Sequence, residues 1–471
     1  MDGRAEAIAA AVAAYDDGTF LAVLRRRVAM PTVSQGAADL AALRAYLDDE
    51  MAPSLAGLGF ASEVYANPHE GFGPLLVAER HEGADLPTVL IYGHGDTVPG
   101  QDAAWRPGLV PHAVTVEGDR LYGRGTADNK GQHTIGLLAL GCVAAARGGR
   151  LGFNAKVLIE TGEEAGSPGL DAFCAAHRAE LAADVLIASD GPRLAADRPT
   201  LFLGSRGAFN IDLSVTSRDR AHHSGNWGGL LRNPATVLSA AIASMVDARG
   251  RILVEALRPP PIPPGVRAAL ADLAVGGGPD DPAIDADWGE PGLSDAERVF
   301  GWNSLEVLAL LAGTPEAPQN AIPAWARATL QLRFVVGTDW RGVVPALRRH
   351  LDGFGLGRVA VQPARGDVLG ATRLDPADPW VAWALASLAA TTGRPPALLP
   401  NLGGSLPNDV FADTLGLPTL WVPHSHGACN QHAPNEFLLG PIAREGLAIM
   451  AGLFWDLGEG GGAVLARRRA G

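Results

Sequence analysis

Between residues 85 and 192 short apolar runs alternate with longer helical patterns. "TVLIYG" (88–93), "AKVLIE" (155–160) and "DVLIAS" (184–189) read as strands. "NKGQHTIGLLALGCVAAARG" (129–148) and "GLDAFCAAHRAEL" (169–181) read as helices. Strands that alternate with helices mean βαβ units, so the expected fold class is α/β. Its core is a doubly wound, mainly parallel sheet with helices on both faces. Ligands of such sheets bind at the carboxyl ends of the strands. The polar clusters fall there: "GHGDT" follows 93, "TGEEAG" follows 160 and "DGP" follows 189.

The texture changes near Gly204. "GAFNIDLSVTS" (207–217) alternates as a half-exposed strand would, and a helix follows at about 233–247. "ARATLQLRFVVG" (326–337) is another strand and "DWRGVVPALRRHLDGF" (339–354) another helix. These elements predict a smaller α+β domain over 204–368, inserted between catalytic parts 1–203 and 369–471. The proline-rich, acidic stretch 259–297 reads as a long surface excursion. The doubly wound pattern resumes near 375 with helix "PWVAWALASLAATTG", strand "PTLWVP" (418–423) and a final helix at about 438–456. The tail "GEGGGAVLARRRAG" reads as loose.

Composition narrows the function. A net charge of −13 argues against a nucleic-acid or anionic-membrane partner, which demands a basic footprint. Cys142, Cys174 and Cys429 are odd in number and far apart. That pattern fits no disulfide framework and suits a reducing compartment, the cytoplasm. The first twenty residues read as an amphipathic helix, because no basic segment precedes the apolar run as a signal peptide requires. No uninterrupted apolar run reaches the ~18 residues of a membrane span.

"IETGEEAGSPG" sets Glu163 beside Glu164 at a buried strand's end, in a chain with only 19% charged residues. Adjacent carboxylates repel, and burying them is costly unless a cation compensates. An isolated acidic pair is commonly just a solvated turn. The other strand ends supply further ligand types. "GHGDT" gives His94 and, two residues on, Asp96; "GRGTADNKG" gives Asp128; "SDGP" gives Asp190; "CNQHAPNE" gives His432. Singly, Asp128 reads equally well as a helix N-cap and Asp190 as a turn former. Jointly, His and carboxylate donors in glycine-rich loops at strand ends describe a divalent-metal site.

The order "GHGDT … GRGTADNKG … TGEEAGSPG … SDGP … HHSGNWGG … NQHAPNE" resembles the dinuclear metallopeptidase family of carnosinase, aminoacylase, carboxypeptidase G and succinyl-diaminopimelate desuccinylase. The likeness covers about 85–440 and is closest to the carnosinase-type dipeptidase branch. It implies two divalent ions, zinc-type, although manganese or cobalt also suit such donors. His94 and Asp190 would hold one ion, Glu164 and His432 the other, and Asp128 would bridge both. Glu163 would be the general base, Asp96 would orient His94, and a hydroxide between the ions would attack. The Asp128–Asn129 peptide bond would be cis. The resemblance also implies a homodimer through the inserted domain, with His223 reaching across it to the tetrahedral oxyanion. Arg333 and Ser405 would bind the substrate carboxylate. Asn320 stands where the branch usually has threonine and would still donate a hydrogen bond. Cys429, three residues before His432, is a further candidate contact. The expected activity is cleavage of dipeptides or short peptides with a free C-terminal carboxylate. The alternative is N-acyl-amino-acid deacylation on the same site.

Overall fold

The computed structural model describes residues 3–276, 281–364 and 368–470. Its larger sheet has eight strands, in the order Ala61–Tyr65, Leu75–Arg80, Asn154–Glu160, Thr88–His94, Val185–Ala188, Thr419–Trp421, Thr200–Phe202 and Ala397–Leu399. The strands at its centre are parallel: Ile91 pairs with both Val157 and Ile187, and Leu420 with Ile187. They are apolar throughout because both faces are covered. Val89, Ile91, Val157 and Ile187 meet helices Lys130–Ala146, Pro379–Thr392 and Gly440–Ala470 on one face. Leu90, Tyr92, Leu158 and Leu186 meet Phe173, Phe411 and Trp421 on the other. In this register His94 stands beside Glu160, and Trp421 beside Ala188, so four loops open at one edge of the sheet.

A second, antiparallel sheet runs Ser304–Leu311, Trp325–Phe334, Gly207–Thr216, Ala360–Pro363. Gly207–Thr216 alternates buried and half-buried residues, as its sequence predicts. Ile211, Leu213, Leu330 and Leu332 pack against Leu238, Met245, Leu347 and Leu351 of two helices to form a core of their own. The other face is polar. There Thr329 donates to Asp212, Gln331 to Asn210, and Arg333 Nε to Gln331.

Two expectations need correction. The stretch 259–297 is more than a surface excursion. Ile262, Val266 and Leu270, spaced one helical turn apart, sink with Ala296 and Phe300 into the core beneath the larger sheet. Residues 277–280 of that stretch lie outside the described residues. The tail is also not loose, since one helix runs from Gly440 to Ala470. Its glycines cost helix propensity, about 1 kcal/mol each against alanine, but Gly458 and Gly461 sit where neighbours come close. A Cβ on Gly458 would lie 2.5 Å from the Leu151 carbonyl oxygen, and one on Gly461 3.2 Å from Pro87. Leu457 and Val464 are buried, and Arg468 and Arg469 pair with Asp378 and Asp184 at 2.8 and 3.1 Å. The N-terminal segment forms two helices, Gly3–Asp16 and Thr19–Val28, turned at Gly18 with φ 86°. No single helix among the described residues is long and apolar enough to cross a membrane.

Candidate metal centre

The four loops converge. His94 Nε2 lies 3.1 Å from Asp128 Oδ1 and 3.5 Å from Asp190 Oδ2. His432 Nε2 lies 3.3 Å from Asp128 Oδ2 and 3.0 Å from Glu164 Oε2. Asp128 therefore divides its two oxygens between two ligand groups, His94–Asp128–Asp190 and Asp128–Glu164–His432. The Asp128–Asn129 peptide bond is cis. His432 holds a left-handed φ of 62°, a conformation that non-glycine residues keep only where their surroundings impose it.

The adjacent glutamates separate because Glu163–Ala165 is a turn of 3-10 helix, in which neighbours point about 120° apart. Glu164 meets His432, while Glu163 Oε2 stands 3.9 Å from His94 Nε2. Asp96 fixes that turn. Its Oδ1 accepts from the Glu163 N–H at 3.2 Å and its Oδ2 from the Glu164 N–H at 3.0 Å. It also accepts from the Ser34 hydroxyl at 2.6 Å, and Oδ1 lies 3.3 Å from His94 Nδ1. One buried carboxylate thus orients a histidine and places both glutamates.

The electrostatics are those of crowded anions. Burial and the nearby Asp128 push Glu164 up to about 7 and Asp190 up to about 6. Burial also raises Glu163 well above the carboxylate range, with Asp190 and Glu164 adding to it and His94 opposing. Bonds to Asp128 and Glu164 raise His432 to about 11. Burial works against a charged His94, yet Asp128 and Asp96 hold it well above the usual histidine range. Burial likewise opposes ionisation of Asp128, but His432 and His94 keep it below the usual range. The buried Asp190 Oδ2 has no hydrogen-bond partner. Two histidines and three carboxylates, one of them shared and one with an orphaned oxygen, fit two divalent cations better than they fit one another.

Sequence reasoning missed the anchor of this centre. Glu436, fully buried, accepts from the N–H groups of Gly125, Ala127 and Asp128 at 3.0, 2.9 and 3.1 Å. It pairs with Arg124 at 2.8 Å. The signal was present, because Glu436 ends the "NQHAPNE" motif and Arg124 lies in "GRGTADNKG". Cys429 is no ligand: its Sγ lies 2.8 Å from His426 Nδ1, and burial pushes the thiol up to about 12.

The remaining predicted residues form two further groups. Arg333 Nη1 donates to Ser405 Oγ at 2.8 Å, and Ser405 donates to the Arg206 carbonyl at 2.7 Å. Arg206, also missed, brings a buried guanidinium near the half-buried Arg333. His223 and Asn320 are exposed, on a two-stranded ribbon where His223 pairs with Ala321. They are not brought to the metal ligands of their own chain.

A model of peptidase family M20/M25/M40 matches residues 90–456, well over half of the chain. The chain belongs to this family. The Beta-Ala-His dipeptidase of Mus musculus is 34% identical over 206 residues, 43% of this chain and 39% of that protein. The chain thus aligns with about two fifths of that relative's length. A succinyl-diaminopimelate desuccinylase of Methylobacterium is 29% identical over 368 residues, 75% of this chain and 78% of that protein. Human carnosine dipeptidase 1 shares the fold with a TM-score of 0.75 at 22% identity, covering 96% of this chain and all of that one. An M20 metallo-carboxypeptidase from Sulfolobus solfataricus superposes with a TM-score of 0.78 at 23% identity, covering 93% of this chain and 99% of that one.

Proposed function

We propose that this M20 protein is a dinuclear metallohydrolase that cleaves dipeptides or short peptides with a free C-terminal carboxylate. The observation that carries the reading is the pair of ligand groups sharing Asp128, with Glu163 beside them. His94 and Asp190 would hold one ion, Glu164 and His432 the other, and Asp128 both; zinc suits these donors best. The ions, when bound, supply Lewis acidity to the scissile carbonyl and acidify water. Glu163 takes the proton of the attacking water and returns it to the leaving amine. Asp96 keeps His94 in one tautomer and, through the Glu163 and Glu164 N–H groups, keeps Glu163 beside the ligand groups while Glu164 faces His432. Arg333, with Ser405, holds the substrate carboxylate by its planar fork.

The protein acts as a homodimer joined through the domain 204–368. Val307, Leu308, Leu310 and Leu311 stand exposed on the edge strand Ser304–Leu311, and such an apolar edge calls for a partner. In that dimer His223, exposed in its own chain, meets the partner's substrate as an oxyanion donor, with Asn320 beside it. Three free cysteines suit the cytoplasm.

Dipeptides and their N-acylated counterparts, each offered with and without a chelator, test the reading. Chelator-sensitive cleavage of the free amine supports it. Preference for the acylated compound moves the function to deacylation, the reading that the desuccinylase relative favours.

A further inference from the structure

A cavity of about 300 Å³ lies between the smaller sheet and the segment 250–303. Arg206, Trp288, Glu290, Trp302, Ser304 and Glu306 line it. It opens on the polar face of that sheet. Ser304 and Glu306 pair across the strands with Arg333 and Gln331, and paired residues of antiparallel strands share a face. Arg206 belongs to both places, since it lines the cavity and its carbonyl holds Ser405, the partner of Arg333. The cavity therefore begins on the strand next to that of Arg333, one strand spacing, about 4.8 Å, from its backbone and on the face that carries its side chain.

Its chemistry is acidic and aromatic. Four of its lining side chains are acidic, Asp285, Glu290, Asp295 and Glu306, against two arginines. Both arginines are engaged: Arg298 pairs with Asp295 at 3.3 Å, and Arg206 Nε donates to the Gly403 carbonyl at 3.0 Å. Glu290 gives one oxygen to Arg258 at 2.6 Å, but its buried Oε2 has no hydrogen-bond partner. Trp288 and Trp302 supply ring faces, and a cation over a tryptophan face is attracted by its quadrupole. Trp302 already has the Arg258 guanidinium 5.9 Å from its ring centre.

We propose that this cavity takes the side chain of the substrate's C-terminal residue and selects a long basic one, arginine or lysine. The inference rests on Arg333 as the anchor of the substrate carboxylate. An N–H donor at the end of the side chain satisfies Glu290 Oε2, its charge is balanced by the acidic lining, and its methylenes lie along the indoles. A leucine would leave Oε2 unpaired. A glutamate would add an anion to an acidic wall.

The test measures binding, so it does not depend on turnover. In the metal-loaded Glu163→Gln protein, calorimetry compares glycyl-arginine with glycyl-glycine, and N-acetylarginine with N-acetylglycine. The expected preference for arginine is about tenfold or more in at least one pair. It falls toward one in Trp288→Ala and, separately, in Glu290→Gln. Trp288 is 50% exposed, so its truncation does not hollow a core. Equal affinities in the parent, or a preference that survives both variants, overturn the cavity assignment. The acetylated pair makes that outcome independent of whether peptides or acyl groups are cleaved. Arg333→Ala completes the comparison. Unchanged affinities in that variant refute the anchor, and with it the premise of this inference.

Discussion

Glu436→Gln tests how the bridging position is held. Glu436 Oε1 takes the N–H groups of Ala127 and Asp128, Oε2 takes Arg124, and the Gly125 N–H lies between the two oxygens at 3.1 and 3.0 Å. An amide can keep the first pair on its carbonyl, but its NH2 then confronts the Arg124 guanidinium. Both members of the ion pair are 1% exposed, so the substitution strands Arg124 as a buried charge. Breaking such a pair costs about 3–5 kcal/mol, while the Gly125 N–H keeps its bond to the remaining oxygen. A loss of about 3–5 kcal/mol approaches the whole stability of many domains. The loop so released carries Asp128, the carboxylate common to both ligand groups. Both metal sites should weaken together. Urea unfolding of the chelated protein reads the stability, and metal analysis after dialysis reads occupancy. The Asp16→Asn variant, which breaks an ion pair in solvent with Arg444, should leave the midpoint where it was. A Glu436→Gln protein that loses under about 1 kcal/mol and retains two ions would refute the argument.

Metal removal should reverse the pH dependence of stability. Asp190, Glu164 and His432 are all raised in the metal-free site, the first two to about 6 and about 7. The native chain then binds more protons than the unfolded chain as pH rises from ordinary carboxylate values near 4 through that window. Chelated protein should lose melting temperature between pH 5 and pH 8, whereas bound metal competes with those protons and should widen its advantage. A chelated protein that grows more stable over this window contradicts the crowding of carboxylates. Arg333→Lys should raise KM about tenfold or more for substrates with a free carboxylate and leave C-terminal amides little changed; equal effects on both would remove Arg333 from carboxylate binding. Leu310→Lys should yield monomers in sedimentation and abolish turnover, and mixing His223→Ala with Glu163→Gln should restore part of it. An active monomer would end the trans role of His223.

The reading of the sequence succeeded where chemistry and periodicity coincide. Apolar runs fixed the strands, and the ligand-type residues just beyond them could only converge, because parallel strands present their carboxyl ends at one edge. It failed where a side chain's partner is backbone or distant. Nothing in the pattern links Glu436 to N–H groups some three hundred residues earlier. The double duty of Asp96 depends on the turn at Glu163, which spacing does not reveal. The extension of the C-terminal helix beyond 456 was hidden by its glycines, of which Gly458 and Gly461 make close crossings, and the segment 259–297 by prolines that begin helices as readily as loops.

The order in which the ligands occur along the chain has a consequence for synthesis. His94, Asp128 and Asp190 all lie within the first 190 residues; His94 and Asp190 belong to the ends of adjacent parallel strands, and Asp128 to the loop that leads into helix Lys130–Ala146. Glu164 emerges with them, but its histidine follows more than two hundred residues later, beyond the strand Thr419–Trp421. A chain still on the ribosome therefore holds every residue of the first group before Glu436, which fixes the Asp128 loop, has been made. Firm loading of either ion is then a report that the C-terminal part of the chain has docked, because both groups share the carboxylate that Glu436 holds in place.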